Sequence, residues 1–428
     1  MYNKVMGSSN ETNNKPADNK WYRSKVLWII VAALIILIGA PLLWIKMLYP
    51  TTSPFKAISY LNYERSHPRQ DLSTRAIGFA PSWLLDRMND TRLDLLTDVI
   101  FFSLSVDENG NFAKKDSKGE DDEGWLAWNA APANDLLAKT QVMGGRTGVS
   151  ITALNNERIN SFLGNEQSEN NLINNTIAEV KRKHLKLVNL DFEYTGDPTI
   201  GTQAKFTTFV TKLRDKLNDQ APDTELSIDI MARSGRDPRL FELDKLEKVV
   251  DKFIVMSYDY YTAGSDSAGP VAPIGGFENK KYFFDLTTTY NDLAKFLPAD
   301  KIIMGVPYYG YDWPVKDQNN PRSLALKQSD ANGFVETLSY KRSRDDSKYS
   351  GANCHFDELA QEPWCGYTDE ETGNNRVAWF ENNQSIQEKY NFAKDRNFEG
   401  IAIWALGYDN GYPDLWRILE QTFSVKRK

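Results

Sequence analysis

Cysteine and histidine are scarce. The 428 residues hold two cysteines, Cys354 and Cys365, and three histidines, His67, His184 and His355. None has the spacing of a zinc-ligand set, so no metal site is expected, and no organic cofactor is implied. The cysteines are expected to close a short loop as a disulfide if that part of the chain lies outside the cytoplasm, and to be free thiols otherwise. Positive charge is also in short supply. The net charge is −7 and the body of the chain has no long basic run, which argues against nucleic acid as a partner. No Gly-rich fingerprint opens any helical stretch, so a nucleotide-binding doubly wound sheet lacks its usual support. Aromatic residues, by contrast, make up a generous 12%. Flat rings cover the apolar faces of sugars, and they fill cores equally well.

In chain order, residues 1–25 are polar and expected to be a disordered tail. Residues 26–45 contain no charge, enough for one membrane-spanning helix. Pro41-Leu42-Leu43-Trp44-Ile45-Lys46 stands where a cleaved leader would have small residues, so the anchor is expected to be retained. Lys4, Lys15, Lys20, Arg23 and Lys25 outweigh Glu11 and Asp18 before it. The positive-inside rule then keeps the N-terminus cytoplasmic and exports the rest, with the bilayer as a partner through residues 26–45. Residues 46–72, with Pro50, Pro54 and Pro68, are expected to form a stalk.

From residue 73 to 428 eight short apolar runs alternate with helix-compatible stretches. The runs are 76–80, 99–106, 148–154, 187–194, 226–231, 253–260, 302–308 and 401–406, and the helical candidates include 174–184, 203–218, 241–250, 282–296 and 385–396. That rhythm predicts a (β/α)8 barrel of the α/β class, with its site at the C-terminal ends of the strands. A polar stretch over 315–375 breaks it and reads as an insertion after the seventh strand, forming one wall of a cleft. Trp83, Trp125 and Trp128, after the first two strands, are candidates for the opposite wall.

One run differs from the others. Lys186-Leu187-Val188-Asn189-Leu190-Asp191-Phe192-Glu193-Tyr194 alternates with period two, Val188, Leu190 and Phe192 on one face and Asn189, Asp191 and Glu193 on the other. Such a polar face inside a β/α sheet is costly unless it performs chemistry.

Asn189-Leu190-Asp191-Phe192-Glu193-Tyr194 resembles the fourth-strand signature of the family-18 glycoside hydrolases, Asp-Gly-aliphatic-Asp/Asn-aliphatic-Asp-aromatic-Glu-Tyr. Met256-Ser257-Tyr258-Asp259-Tyr260, Gly305-Val306-Pro307-Tyr308-Tyr309-Gly310-Tyr311 and Gly400-Ile401-Ala402-Ile403-Trp404 resemble its sixth, seventh and eighth strand ends. Trp379-Phe380-Glu381-Asn382, with Ser385 and Lys389, is similar to the segment leading into the last helix. The resemblance spans about residues 72–423. It implies that the 2-acetamido group of an N-acetylglucosamine unit attacks its own anomeric carbon. Glu193 would be the acid and base, Asp191 would orient the acetamide, and Tyr258 would donate to the acetamide oxygen. Asn189, Asp259, Tyr309, Tyr311, Trp404 and Trp83 would contact the substrate, with Trp404 as the floor.

Two positions depart from the pattern. Lys186-Leu187 replaces its Asp-Gly, and Asn189 can hydrogen-bond but cannot take a proton. Activity is therefore expected to be lowered, or its pH optimum displaced. The implied substrates are β-1,4-linked N-acetylglucosamine polymers of the chitin type, with peptidoglycan or N-glycan cores as alternatives and a catalytically silent lectin as a third reading.

Overall fold

The computed structural model describes residues 20–49, 52–116, 118–370 and 372–425. The chain divides into two compact units, one ending at Leu48 and one beginning at Tyr49. The tail expected over 1–25 lies outside the described residues as far as residue 19. From Lys20 onward the backbone is already helical, running through Lys20–Leu34, a π turn Ile35–Gly39 and Ala40–Leu48. Pro41 lacks the N–H that would continue the ladder, and the widened turn lies immediately before it. Residues Lys25–Leu48 form an apolar helix of 24 residues, roughly 36 Å at 1.5 Å per residue and long enough to cross a bilayer.

The segment expected to act as a stalk folds differently. Nearly half of it, Pro54–Ser66, is a helix whose start is capped by Ser53, and it belongs to the second unit. Lys56 pairs with Asp135 at 2.6 Å, and the ammonium of Lys139 lies 4.4 Å from the Tyr63 ring centre.

Strands β1 (Arg75–Pro81), β2 (Asp98–Ser105), β3 (Arg146–Ala153), β4 (Leu187–Phe192), β5 (Glu225–Met231), β6 (Lys252–Met256) and β7 (Ile302–Pro307) come first in the barrel. After β7 follow β8 (Tyr309–Pro314), β9 (Glu336–Ser339), β10 (Cys354–Asp357), β11 (Glu362–Thr368) and β12 (Asn375–Trp379), and then β13 (Gly400–Trp404). The first seven and β13 close a parallel barrel in the order β1-β13-β7-β6-β5-β4-β3-β2. All eight apolar runs are barrel strands. The molecule is thus a (β/α)8 barrel, and the lumen is filled by Ile77, Phe79, Ile100, Ile254, Ile303 and Ala402. Its N-terminal end is closed by charge: Asp98 accepts from Arg75 and Arg146, and both guanidinium groups also reach Glu225.

Two predicted helices shrink. The stretch 241–250 keeps only Leu243–Leu246 as helix. The stretch 282–296 keeps Leu286–Leu293, because the Asp285 carboxylate caps the Thr288 N–H and fixes the start there. Tyr282 and Phe284, ahead of that cap, are buried loop residues.

The insertion is an antiparallel sheet in the order β10-β11-β12-β8-β9, so it begins at Tyr309 and ends at Trp379, wider than the polar stretch 315–375. Cys354 and Cys365 are directly opposed on β10 and β11 and joined as a disulfide. Asp312 is fully buried, held by Arg376 at 3.0 Å, Tyr349 at 2.8 Å and Tyr367. The sheet is fastened to the barrel by a second buried cluster. Glu362 on β11 accepts the backbone N–H groups of Val271 and Ala272, in the loop after β6. Lys389, on the helix Asn383–Asp395, pairs with Glu362 at 3.2 Å and with Glu381 at 2.8 Å.

Candidate active site

β4 is buried on both faces, and its polar face turns into the barrel. Asn189, Asp191 and Glu193 therefore rise in one column from the lumen to the rim. Asn189 is fully buried, Asp191 is 2% exposed, and Glu193 is half-buried just past the strand, its N–H still bonded to the Ala153 carbonyl at 3.0 Å. Parallel pairing sets Asn189 beside Ser227 and Leu190 beside Ile228. The next step of that register lies at Asp191 and Asp229.

Asp229 is the functional candidate that sequence reasoning missed. It is 3% exposed, and its carboxylate accepts from the Asn189 amide at 2.7 Å. Asn189 also reaches the Ser227 hydroxyl at 3.2 Å. This moves Asn189 off the list of substrate-contacting residues, because it lies beneath Asp191 and spends its amide on β5. The signal for Asp229 was present: Glu225, Ser227 and Asp229 alternate with Leu226, Ile228 and Ile230 as the polar face of β4 does.

The carboxyl groups perturb one another. Burial, reinforced by Asp229 and Glu193, pushes Asp191 well above the usual carboxylate range. Burial carries Asp229 up to about 8, with the Asn189 hydrogen bond opposing the rise. Glu193 is raised by burial and by Asp259, while Arg239 pulls it down. Like charges crowded in low dielectric cannot all ionise, so the group retains protons near neutral pH. Tyr258 is also protonated throughout: burial, with Asp229, Asp191 and Glu193 nearby, holds its hydroxyl well above the ordinary value.

Tyr258 follows β6 and stands against β7. A side chain at Gly305 would meet the Val255 carbonyl at 2.5 Å and the Tyr258 ring at 2.8 Å, so the Gly of the seventh-strand motif makes room for the tyrosine. Asp259 adopts a left-handed backbone, φ 59°, and accepts from Tyr309 at 2.5 Å and Tyr311 at 3.0 Å.

Trp404 ends β13 half-buried, its ring 4.6 Å from Phe102, 5.8 Å from Phe79 and 6.5 Å from both Tyr258 and Trp83. Trp83 is 46% exposed at the mouth. Trp404, Tyr258, Tyr309, Tyr311 and Trp83 are therefore brought together around the carboxylates. Phe79, Phe102, Tyr408 and Arg239 join them without having been singled out in the sequence. Trp128 does not: it is fully buried, donating to Glu179 at 2.7 Å beneath the Lys183 ammonium. Trp125 stacks on Phe112 and lines a separate hollow of about 620 Å³ with Lys114 and Arg158.

The arrangement can deliver a proton from Glu193 at the rim, accept an amide N–H at Asp191, and donate a phenol from Tyr258 to an oxygen between them. An apolar ring floors the space.

Known proteins share this plan. The family model "Glycosyl hydrolases family 18" matches residues 63–409. The "Cortical fragment-lytic enzyme" of Bacillus subtilis is 26% identical over 70% of this chain and 65% of its own length. The "Putative sporulation-specific glycosylase YdhD" of the same organism is 27% identical over 66% of this chain and 60% of its own. The chain thus spans just under two thirds of these relatives. Among solved structures, the Bacillus megaterium spore cortex-lytic enzyme SleL superposes with a TM-score of 0.65 at 20% identity, covering 84% of this chain and 76% of that one. The Ostrinia furnacalis Group IV chitinase does so with 0.67 at 17% identity, covering 82% and 99%. With the match covering most of the chain and both strand-four carboxylates in place, the chain belongs to the glycosyl hydrolases family 18.

Proposed function

We propose that the protein hydrolyses β-1,4-linked glycans containing N-acetylglucosamine, with retention, through the substrate's own acetamido group. The observation that carries this is the column of Asp191 and Glu193 beneath an open rim, with Tyr258 beside it and Trp404 as floor. Glu193 protonates the leaving oxygen and later activates water. Asp191 holds the acetamide N–H and offsets the charge of the oxazolinium-like intermediate, and Tyr258 donates to the acetamide oxygen. Asp259, Tyr309 and Tyr311 bind sugar hydroxyls, and Trp83 extends the apolar surface. A lectin has no use for a raised, half-buried Glu193 above Asp191, so the enzyme reading is preferred.

The substrate proposed first is a chitooligosaccharide. Peptidoglycan strands are the second reading, favoured by the cortical fragment-lytic and cortex-lytic names among the relatives. We further propose that residues 26–45 cross a bilayer once, with the N-terminus cytoplasmic and the barrel on the other side. The apolar helix, the basic flank and the disulfide support that placement.

The test is hydrolysis of a chromogenic N,N′-diacetylchitobioside by the protein and by its Glu193→Gln variant, followed by colloidal chitin and purified peptidoglycan as competing polymers. Turnover in the parent and none in the variant, with binding retained, is the expected result. Equal turnover in both would overturn the assignment of Glu193.

A further inference from the structure

We propose that Asp229 on β5 is a positioning residue for the reaction: it shares a proton with Asp191 and takes that proton when Asp191 must be charged. The inference rests on the function proposed above and adds a residue to it.

Three geometric facts carry it. Continued one step past Leu190 and Ile228, the register sets Asp191 and Asp229 on neighbouring strands whose backbones run about 5 Å apart, with almost no exposure on either residue. The Asn189 amide spans from β4 to Asp229 at 2.7 Å and so fixes the orientation of that carboxylate. Asp191 Oδ1 is buried and, among the described residues, has no hydrogen-bond partner, an arrangement that is costly unless a proton fills it. The titratable groups facing the pair are Glu193 from the end of β4 and Tyr258 from the end of β6, and Arg239, in the loop after β5, acts on Glu193. Two adjacent buried carboxyls in such surroundings titrate as one unit that keeps its last proton to high pH.

In the resting pair Asp191 is the acid and Asp229 the carboxylate. When the sugar's acetamide N–H approaches Asp191, the proton crosses to Asp229. Asp191 is left as the carboxylate that faces the oxazolinium-like intermediate. One O–H bond breaks at Asp191 and one forms at Asp229, no electrons are exchanged, and the net charge of the pair is unchanged. When the intermediate is hydrolysed the proton returns. Asn189 is then a strap rather than a defect. It stands where the family pattern allows a second acid, and it holds that acid's replacement on the adjacent strand.

The experiment compares the full-length protein in detergent with its Asp229→Asn and Asn189→Asp/Asp229→Asn variants. The readouts are kcat and KM against pH on a chromogenic N,N′-diacetylchitobioside, and Tm against pH without substrate. Asp229→Asn is expected to lower kcat about tenfold or more with KM within about twofold, and to move the pH optimum of kcat by more than about one unit. The double variant returns a carboxyl to β4 and is expected to recover most of the rate and the parental profile.

Tm supplies a readout that needs no catalysis. Asp191 and Asp229 together bind protons more tightly folded than unfolded, so the parent loses stability as pH rises from about 4 to 8, and Asp229→Asn, which leaves only Asp191 raised by burial, loses less over that range. A parent that turns over no acetamido sugar would sink the proposed function and leave this Tm comparison standing. A variant with the parental pH profile and the parental Tm slope would overturn the proton sharing. So would a variant that cannot fold above pH 6, since the account makes Asn the less costly residue there.

Discussion

At the scale of single residues the site works by keeping protons where bulk water would remove them. Tyr258 is held as a phenol by burial and by the surrounding carboxylates, so its contribution is a hydrogen bond and not a charge. Tyr258→Phe keeps the ring and its packing and is expected to lower kcat about 100-fold, with Tm nearly unchanged; a kcat within a factor of two would exclude the hydroxyl from the mechanism. Glu193 is raised by burial and Asp259 and restrained by Arg239. Replacing Arg239 with Gln removes the restraint, so the alkaline limb of kcat/KM is expected to move to higher pH, and a move to lower pH would contradict the assignment of the acid. Glu193 and Asp191 were legible because a polar face on a buried strand is conspicuous. Asp229 was legible by the same alternation but hidden, since Leu226, Ile228 and Ile230 make its run look like ordinary core. Arg239 lies in a loop at φ 45°, placed by chain contacts that no local pattern encodes.

At the scale of elements the insertion depends on a few buried polar ties. Lys389 is fully buried between Glu362 and Glu381, and Glu362 in turn holds the backbone after β6. Lys389→Met leaves two uncompensated buried carboxyls and is expected to cost about 3–5 kcal/mol, read as a fall in chemical-denaturation midpoint. A loss below about 1 kcal/mol would show the triad to be dispensable. The Cys354–Cys365 disulfide closes a loop of sequence separation 11, and its replacement by two serines is expected to cost about 3 kcal/mol. That loss should be felt in the insertion first, as faster hydrogen exchange of β10 and β11 than of the barrel strands. The eight barrel strands were legible from apolar run length alone. The antiparallel sheet was not, because its strands alternate with charged turns and two of them are only four residues long.

At the scale of the whole molecule, two units of opposite character share one chain. The first is an apolar helix with its large side chains exposed, and the second is a barrel with a full core. Run length and the absence of charge made the first legible, and the strand rhythm made the second. The helix Pro54–Ser66 escaped because Pro50, Pro54 and Pro68 looked like linker, while Pro54 in fact occupies the first helical turn, where proline is tolerated. If residues 26–45 anchor the protein, the full chain sediments with membranes and is released by detergent, and a chain beginning at Tyr49 stays in the supernatant. Recovery of the full chain in the soluble fraction would contradict the anchor.

The central claim is that the substrate's acetamido group, held by Asp191 and Tyr258, takes the place of a protein nucleophile. Proton NMR of a chitooligosaccharide digest, recorded within the first minutes and beside the same digest of the corresponding cellooligosaccharide, tests it most directly. The account predicts β-anomeric product appearing first from the acetamido sugar and no cleavage of the glucan. First-formed α-anomer, or cleavage of both sugars at similar rates, would contradict it.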